Sequence, residues 1–211
     1  MFWYSVLHSF LERRRCQIPS TRRRASSGSC PSPRFRLQWP ITAAFREKIG
    51  NEESRGSGGY LARNGDVLGA YQLKPIALQD IGWHDKNGNW TEKSGVANDN
   101  DFLFGPLKQE IPLKEFLLHN RQLLGANDFD VPVGQVVQGI NGDFTITENG
   151  LAAAMHREGA RMVKRYLKFL AEQGWISDET KFPPDWAGKF KPIETRLRKF
   201  ADVPYLRPHG H

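Results

Sequence analysis

The sequence predicts a mainly α-helical domain preceded by an N-terminal tail, and three observations support that prediction. Apolar residues recur at helical spacing in several stretches, most clearly from Gly150 to Gln173. No run that alternates apolar and polar residues for more than four positions is convincing as a β-strand. The composition changes near residue 40, where an Arg-, Ser- and Pro-rich segment ends. At 211 residues, one domain with a tail is expected, and it is long enough to bury a core of ordinary size.

Residues 1–40 are predicted to be a disordered extension, or the result of a start codon assigned too far upstream. They contain eight Arg and one acid, Glu12, so they carry the whole formal charge of +7. This composition is also typical of mitochondrial transit peptides, which leaves a targeting function open. A secretory signal has its basic residues before the apolar run, whereas here the apolar residues come first. The domain is therefore expected to span residues 41–205, with a flexible tail over 206–211.

The charge and cysteine content of the predicted domain exclude several classes of function. Residues 41–211 contain 22 basic and 22 acidic residues, so no net field favours a nucleic-acid partner. Both cysteines, Cys16 and Cys30, lie in the extension, which excludes a disulfide framework, a Cys-ligated zinc site and a Cys nucleophile from the domain. No apolar run approaches the roughly 20 residues of a membrane span. We expect no metal, no cofactor and a monomer.

The first predicted helix ends in two adjacent carboxylates. Ile41, Phe45 and Ile49 recur every four residues, and the same period leads to Glu52 and Glu53. At 3.6 residues per turn, Glu52 falls closer than Glu53 to the line of Phe45. Helical phasing alone therefore slightly favours Glu52 as the partly buried carboxylate.

A loop, a short helix and a turn are predicted next. Four glycines make residues 55–66 a loop. Pro75 suits the first turn of a helix that ends near Asp80. Residues 84–90, with the sequence HDKNGNW, read as a turn, and they lack the bidentate Glu of a calcium-binding loop.

The second half of the domain is predicted to contain the longest helices. Residues 99–124 read as a helical region in which Pro106 starts the second piece. Residues 131–142 give a weaker signal for a helix or a loop. One broad apolar stripe predicts a single helix from Gly150 to Gln173, and residues 192–200 read as a final short helix.

The order of several short motifs resembles a bacterial and phage branch of the lysozyme-like proteins that degrade peptidoglycan. In that branch one helix ends in a catalytic Glu followed by Ser, a loop with Tyr and Asn follows, and a Gly-x-Tyr-Gln turn lines the sugar groove. The matching residues here are Glu53-Ser54, Tyr60, Asn64, Gly69-Ala70-Tyr71-Gln72, Asp80-Ile81-Gly82 and Leu151–His156. The resemblance covers about residues 41–205 and implies a lysozyme-like helical domain with a groove.

The resemblance implies that Glu53 protonates the leaving oxygen of a β-1,4 glycosidic bond. Such an acid needs a raised pKa, which an apolar surrounding provides. No second carboxylate follows at a convincing position, which suits a lytic transglycosylase, where one Glu acts as acid and then as base. The 6-hydroxyl of N-acetylmuramic acid then attacks in place of water. The resemblance also implies a set of substrate-binding residues: Tyr60, Asn64, Gly69, Tyr71 and Gln72.

The expected partner is a peptidoglycan strand, reached in the cell envelope, the periplasm or the exterior, although no secretory signal is visible. Two other functions stay open. One is a non-catalytic glycan-binding or phage-derived structural module of the same fold, and the other is a helical interaction domain whose motif matches are accidental. In the plainest interpretation, Glu52 and Glu53 are solvated helix-end residues, Tyr71 belongs to the core and His156 is structural.

Overall fold

The computed structural model describes residues 41–54 and 58–207, and this part of the chain is mainly helical, as predicted. It contains seven α-helices: α1 (Ala43–Ser54), α2 (Pro75–Asp80), α3 (Asp99–Leu103), α4 (Pro106–Gly125), α5 (Glu148–Glu158), α6 (Ala160–Glu172) and α7 (Pro184–Lys199). Two antiparallel hairpins accompany them: β1 (Arg63–Asn64) with β2 (Val67–Leu68), and β3 (Val136–Gly139) with β4 (Gly142–Thr145). The extension predicted over residues 1–40 lies outside the described residues.

The two ends of the described chain are joined. The Thr42 hydroxyl accepts a hydrogen bond from the Phe45 amide at 3.1 Å, which caps the start of α1. Ile41 forms an isolated antiparallel bridge with Leu206. The paired backbone thus extends one residue into the segment that was predicted to be a tail.

Several predicted boundaries agree with the structure because local signals fix them. The helix α2 runs from Pro75 to Asp80, and α4 begins at Pro106. Both prolines occupy the first turn, where the missing N–H has no intrahelical partner in any case. The turn over residues 84–90 is held by Asp85, whose carboxylate accepts the amide hydrogens of Asn87 at 2.8 Å and Asn89 at 2.9 Å.

The single helix predicted from Gly150 to Gln173 is wrong. The chain breaks at Gly159, whose φ of +77° and ψ of 155° end α5 and start α6 in a new direction. The apolar stripe continues across the break because both helices bury their apolar faces. Leu151 and Met155 on α5 and Val163 on α6 all enter the same core cluster.

Two further predictions need correction. Residues 131–142 were expected to form a helix or a loop, but they contain β3 and the start of β4. The last helix was expected over residues 192–200, but α7 begins at Pro184 and continues through Pro192. Burial of the Phe190, Ile193 and Leu197 side chains outweighs the helix-breaking tendency of the internal proline.

The helix α5 lies between the two core clusters of the described chain. Ala152 and Ala153 pack into a cluster formed with α1 to α4, while Leu151 and Ala154 pack into a second cluster with α6, α7 and the β3–β4 hairpin. The helix α5 therefore lies where the two core clusters meet. Among the described residues, no helix is both long and apolar enough to cross a bilayer.

Candidate active site

A cavity of about 670 Å³ is bordered by α2, α4 and the junction of α5 with α6. Part of its wall is apolar, with Ile76 from α2 and Phe116 from α4. Groups that can donate or accept hydrogen bonds also line it: Glu53, Gln72, Asp80, His119, His156 and Glu158. Four cationic side chains line it as well: Lys74, Arg157, Arg161 and Lys189. Apolar surface combined with a few converging polar groups is typical of ligand pockets.

Glu53 lies in the wall of this cavity beside three basic side chains from α5 and α7. Its carboxylate is 6% exposed, and its Oε1 accepts a hydrogen bond from Arg196 Nη2 at 2.7 Å. Arg157 Nη1 donates to Oε2 at 3.2 Å. His156 Nδ1 lies 3.6 Å from Oε1, slightly beyond hydrogen-bonding distance, and forms an ion pair when the imidazole is protonated. The helices α1, α5 and α7 therefore meet at one carboxylate.

This surrounding makes Glu53 a strong acid in the free protein. Burial alone would raise the pKa of Glu53, but His156, Arg196 and Arg157 together outweigh it and lower the pKa to about 2. The carboxylate is therefore ionised at neutral pH. A raised pKa was expected for a general acid, so the direction of the shift is opposite to the expected one.

The neighbouring Glu52 faces a different environment. Its half-buried carboxylate lies 3.1 Å from Lys199 Nζ on α7. Glu52 is not among the residues that line the 670 Å³ cavity, whereas Glu53 is. The structure thus places Glu53 in the cavity wall and Glu52 outside it, as the motif order suggested and against the preference from helical phasing.

The Gly69–Gln72 turn brings one predicted binding residue to Glu53. Gln72 has a left-handed backbone, with φ of 47°, and its Nε2 donates to the Gly69 carbonyl at 2.8 Å. Its side chain lines the same cavity as Glu53. Gly69 itself has φ of +76°, and a Cβ there would lie 2.1 Å from Gln109 Oε1, so the turn has room only for glycine.

Two predicted binding residues are turned away from the cavity and surround a buried carboxylate on α4. Tyr71 is 4% exposed and donates its hydroxyl to Glu110 Oε1. Tyr60 donates to the same oxygen at 2.6 Å, and Arg46 Nε lies 2.6 Å from Glu110 Oε2. Burial and the Glu110 carboxylate raise the pKa of Tyr71, so its hydroxyl stays protonated. In this arrangement Tyr71 is a core residue.

The remaining predicted site residues also lie apart from the cavity. Asn64 is exposed on β1, and neither Asn64 nor Gly69 lines the cavity that Glu53 borders. Of the five predicted substrate-binding residues, the structure therefore brings Gln72 together with Glu53.

The structure adds a second buried carboxylate that sequence reasoning missed. Glu158 is 8% exposed and lines the same cavity as Glu53. Its Oε2 lies 3.0 Å from Lys189 Nζ, and its Oε1 lies 3.8 Å from Arg157 Nε. Arg157 thus touches both carboxylates. Glu158 also ends α5, where a negative charge opposes the helix dipole, so helix stability does not explain its position.

Within residues 41–54 and 58–207, no three His, Cys, Asp or Glu side chains lie close enough together to hold a metal ion. A scan against protein-family models and searches of curated proteins and solved structures return no match for this chain, so the cavity residues themselves are the basis on which a function is assigned.

Proposed function

We propose that this protein has a lysozyme-like fold and cleaves the β-1,4 glycosidic bonds of peptidoglycan strands, with Glu53 as its catalytic carboxylate. The observation that supports this proposal is the meeting of two sequence motifs in one cavity. Glu53 comes from the last turn of α1 and Gln72 from the Gly-x-Tyr-Gln turn, and both residues line the same cavity. The Gln72 amide offers a donor and an acceptor to an N-acetyl group.

In this proposal the proton of Glu53 moves to the leaving oxygen as the bond between that oxygen and the anomeric carbon breaks. Glu53 then accepts a proton from the attacking group, which is the 6-hydroxyl of N-acetylmuramic acid or water. The carboxylate must first take up a proton, since it is ionised in the free protein. Arg157 is the ion-pair partner best able to leave, because its side chain is 50% exposed. A sugar that displaces Arg157 removes a cation and excludes water, and both changes raise the pKa of Glu53.

Glu158 supports a second version of the same proposal, in which the protein is a hydrolase and water is the attacking group. A hydrolase needs a second carboxylate near the first, whereas a transglycosylase does not. Glu158 provides a buried carboxylate in the same cavity. The products distinguish the two variants, because transglycosylation leaves an anhydro sugar at the chain end and hydrolysis leaves a reducing sugar.

The test uses full-length protein and purified peptidoglycan sacculi. We expect wild-type protein to release soluble fragments, which mass spectrometry assigns to anhydro or reducing ends. Glu53→Gln should slow release by about a hundredfold or more, as expected for loss of a general acid. Glu47→Gln is the matched control, since it changes an exposed carboxylate on the same helix, outside the 670 Å³ cavity, and should retain activity. Intact sacculi after treatment with wild-type protein, under conditions where a control lysozyme works, would overturn the proposal.

A second candidate function is favoured by one specific observation. Two arginines hold Glu53 in its ionised form, which suits a carboxylate that orients a ligand or supports the fold more than one that donates a proton. This observation favours a second function, that of a non-catalytic glycan-binding module. The same assay separates the two functions, because such a module sediments with sacculi and releases no fragments.

A further inference from the structure

We infer that the face of α7 next to Glu53 binds a carboxylate of the glycan, so that the protein selects acidic over neutral polysaccharides. This inference rests on the proposed function and adds a second binding subsite to it. The subsite is a second cavity of about 520 Å³. Glu53 and Arg157 line both cavities, so their ion pair lies where the two spaces adjoin.

Cations outnumber carboxylates in the wall of this second cavity. The cationic residues are Arg157, Lys191, Arg196 and Lys199, and the carboxylates are Glu52 and Glu53. An excess of positive charge in a concave site attracts anions. The site therefore favours a negatively charged group of the ligand over a neutral one.

The lysines of this subsite form a row along one helix. Lys191, Thr195 and Lys199 follow one another at intervals of four residues, so they lie on one face of α7 over about 12 Å. The Lys191 and Lys199 side chains are 56% and 45% exposed. Their present partners are the exposed Glu179 and the half-buried Glu52, and because both ammonium groups are themselves in contact with solvent, these ion pairs contribute little stability. Both ammonium groups can therefore turn to a ligand at low cost.

Arg196, which also lines this cavity, supplies a buried donor. Its side chain is 8% exposed, and its Nη2 holds Glu53. Its Nη1 is buried and has no hydrogen-bond partner within the described chain. An unpaired buried donor is costly, and a carboxylate that entered the cavity would reduce this cost if it reached the guanidinium.

The shared ion pair connects this subsite to the proposed chemistry. A ligand carboxylate that binds Arg157 competes directly with Glu53 for the same guanidinium. Weakening that contact removes part of the positive field at Glu53 and favours its protonated form. An acidic substrate would thus promote the protonation that the proposed acid needs more strongly than a neutral glycan, which has no carboxylate to draw Arg157 away from Glu53.

The test compares glycans that differ in charge. Full-length protein is titrated at low temperature with peptidoglycan strands stripped of their peptides, whose lactyl carboxylates are free, and with the same strands after the carboxylates have been amidated. We expect at least about tenfold weaker binding to the amidated strands, and a preference for the charged strands that declines as salt rises. Strands that retain their peptides form a third arm. If only these bind better than amidated strands, the recognised carboxylates belong to the peptide, and the assignment of the subsite to a glycan carboxylate is overturned.

Substitutions of the α7 lysines test whether the preference for charged strands comes from this subsite. The double substitution Lys191→Met and Lys199→Met should reduce the preference for charged strands to about twofold, with binding to amidated strands unchanged. Lys168→Met, an exposed change on α6 that borders neither cavity, is the control. Equal affinity of the wild type for charged and amidated strands overturns the carboxylate subsite and leaves the proposed function intact. A protein that neither binds nor cleaves any of the strands overturns both.

Discussion

Arg196 on α7 and Glu53 at the end of α1 form a buried ion pair, with 2.7 Å between Nη2 and Oε1 and side-chain exposures of 8% and 6%. The two residues are 143 positions apart, so the pair joins the first and last helices of the described chain. Removal of one partner from such a pair leaves an uncompensated buried charge, which is strongly destabilising. The pair therefore affects both the fold and the protonation of the candidate catalytic group.

The first prediction concerns the pH dependence of stability. Glu53 has a pKa of about 2 in the folded protein against an ordinary value of 4.5, so the folded state binds its proton less tightly than the unfolded state. The resulting stabilisation, about 3 kcal/mol, is present above pH 4.5 and is lost as the pH falls toward 2. Urea unfolding between pH 6 and pH 2.5 measures it, and Glu53→Gln should show a shallower slope through this window. Equal slopes in the two proteins would contradict the assignment.

The second prediction concerns the pH dependence of cleavage. If Glu53 is the acid, kcat/KM follows its protonated fraction in the free protein and falls as the pH rises above about 2. Arg157→Gln removes one of the cations that lower this pKa, so it should shift the descending limb upward. At a pH above both values, kcat/KM for amidated strands, which lack the carboxylate proposed to bind Arg157, should increase about tenfold for each unit that the pKa rises. A descending limb at the same pH in both proteins would exclude Glu53 as the titrating acid.

The third prediction separates a core role of Tyr71 from a substrate-binding role. Tyr71→Phe removes a buried hydroxyl and leaves Glu110 with one donor fewer, so unfolding should become easier by about 1–3 kcal/mol. Affinity for glycan should stay unchanged, since Tyr71 does not line the cavity. Denaturant titration and a sedimentation assay with sacculi measure the two effects. Tyr60→Phe is the comparison, since Tyr60 gives Glu110 its other tyrosine hydroxyl from a half-buried position. Lost binding with unchanged stability would assign Tyr71 to the groove.

The parts of the fold that were predictable from sequence are those with a local cause. Pro75 and Pro106 mark the starts of α2 and α4. Each signal acts within one turn of helix, so it can be recognised in a short stretch of sequence. The break at Gly159 has no such signal in the apolar pattern, because α5 and α6 bury faces that share one period.

The candidate site was predictable in part, since two of the six site residues that the motif order singled out, Glu53 and Gln72, line one cavity in the structure. Its electrostatics were not predictable. The pKa of Glu53 depends on His156, Arg157 and Arg196, which reach it only through the packing of α5 and α7 against α1. The position of Tyr71 was not predictable from sequence either, because a tyrosine side chain suits a sugar groove and a protein core equally well.

The last prediction concerns Gly159, where α5 gives way to α6. Its φ of +77° and ψ of 155° lie in a region that residues with a side chain rarely adopt. A Cβ at this position would meet nothing within 4 Å, so the cost of Gly159→Ala comes from the backbone alone. We expect a loss of about 1–3 kcal/mol in the free energy of unfolding.

The matched control for Gly159 is Gly188, which lies within α7 and also has open space around its Cβ position. Its backbone is helical, so Gly188→Ala should stabilise the protein by about 0.5–1 kcal/mol. Chemical denaturation of the two variants should therefore give changes of opposite sign. The break also turns α6 away from α5, so that residues 156–162 border the cavity. If Gly159→Ala were as stable as the wild type, the positive φ at this position would not be required. That result would contradict the geometry assigned here to the α5–α6 junction, which borders the cavity.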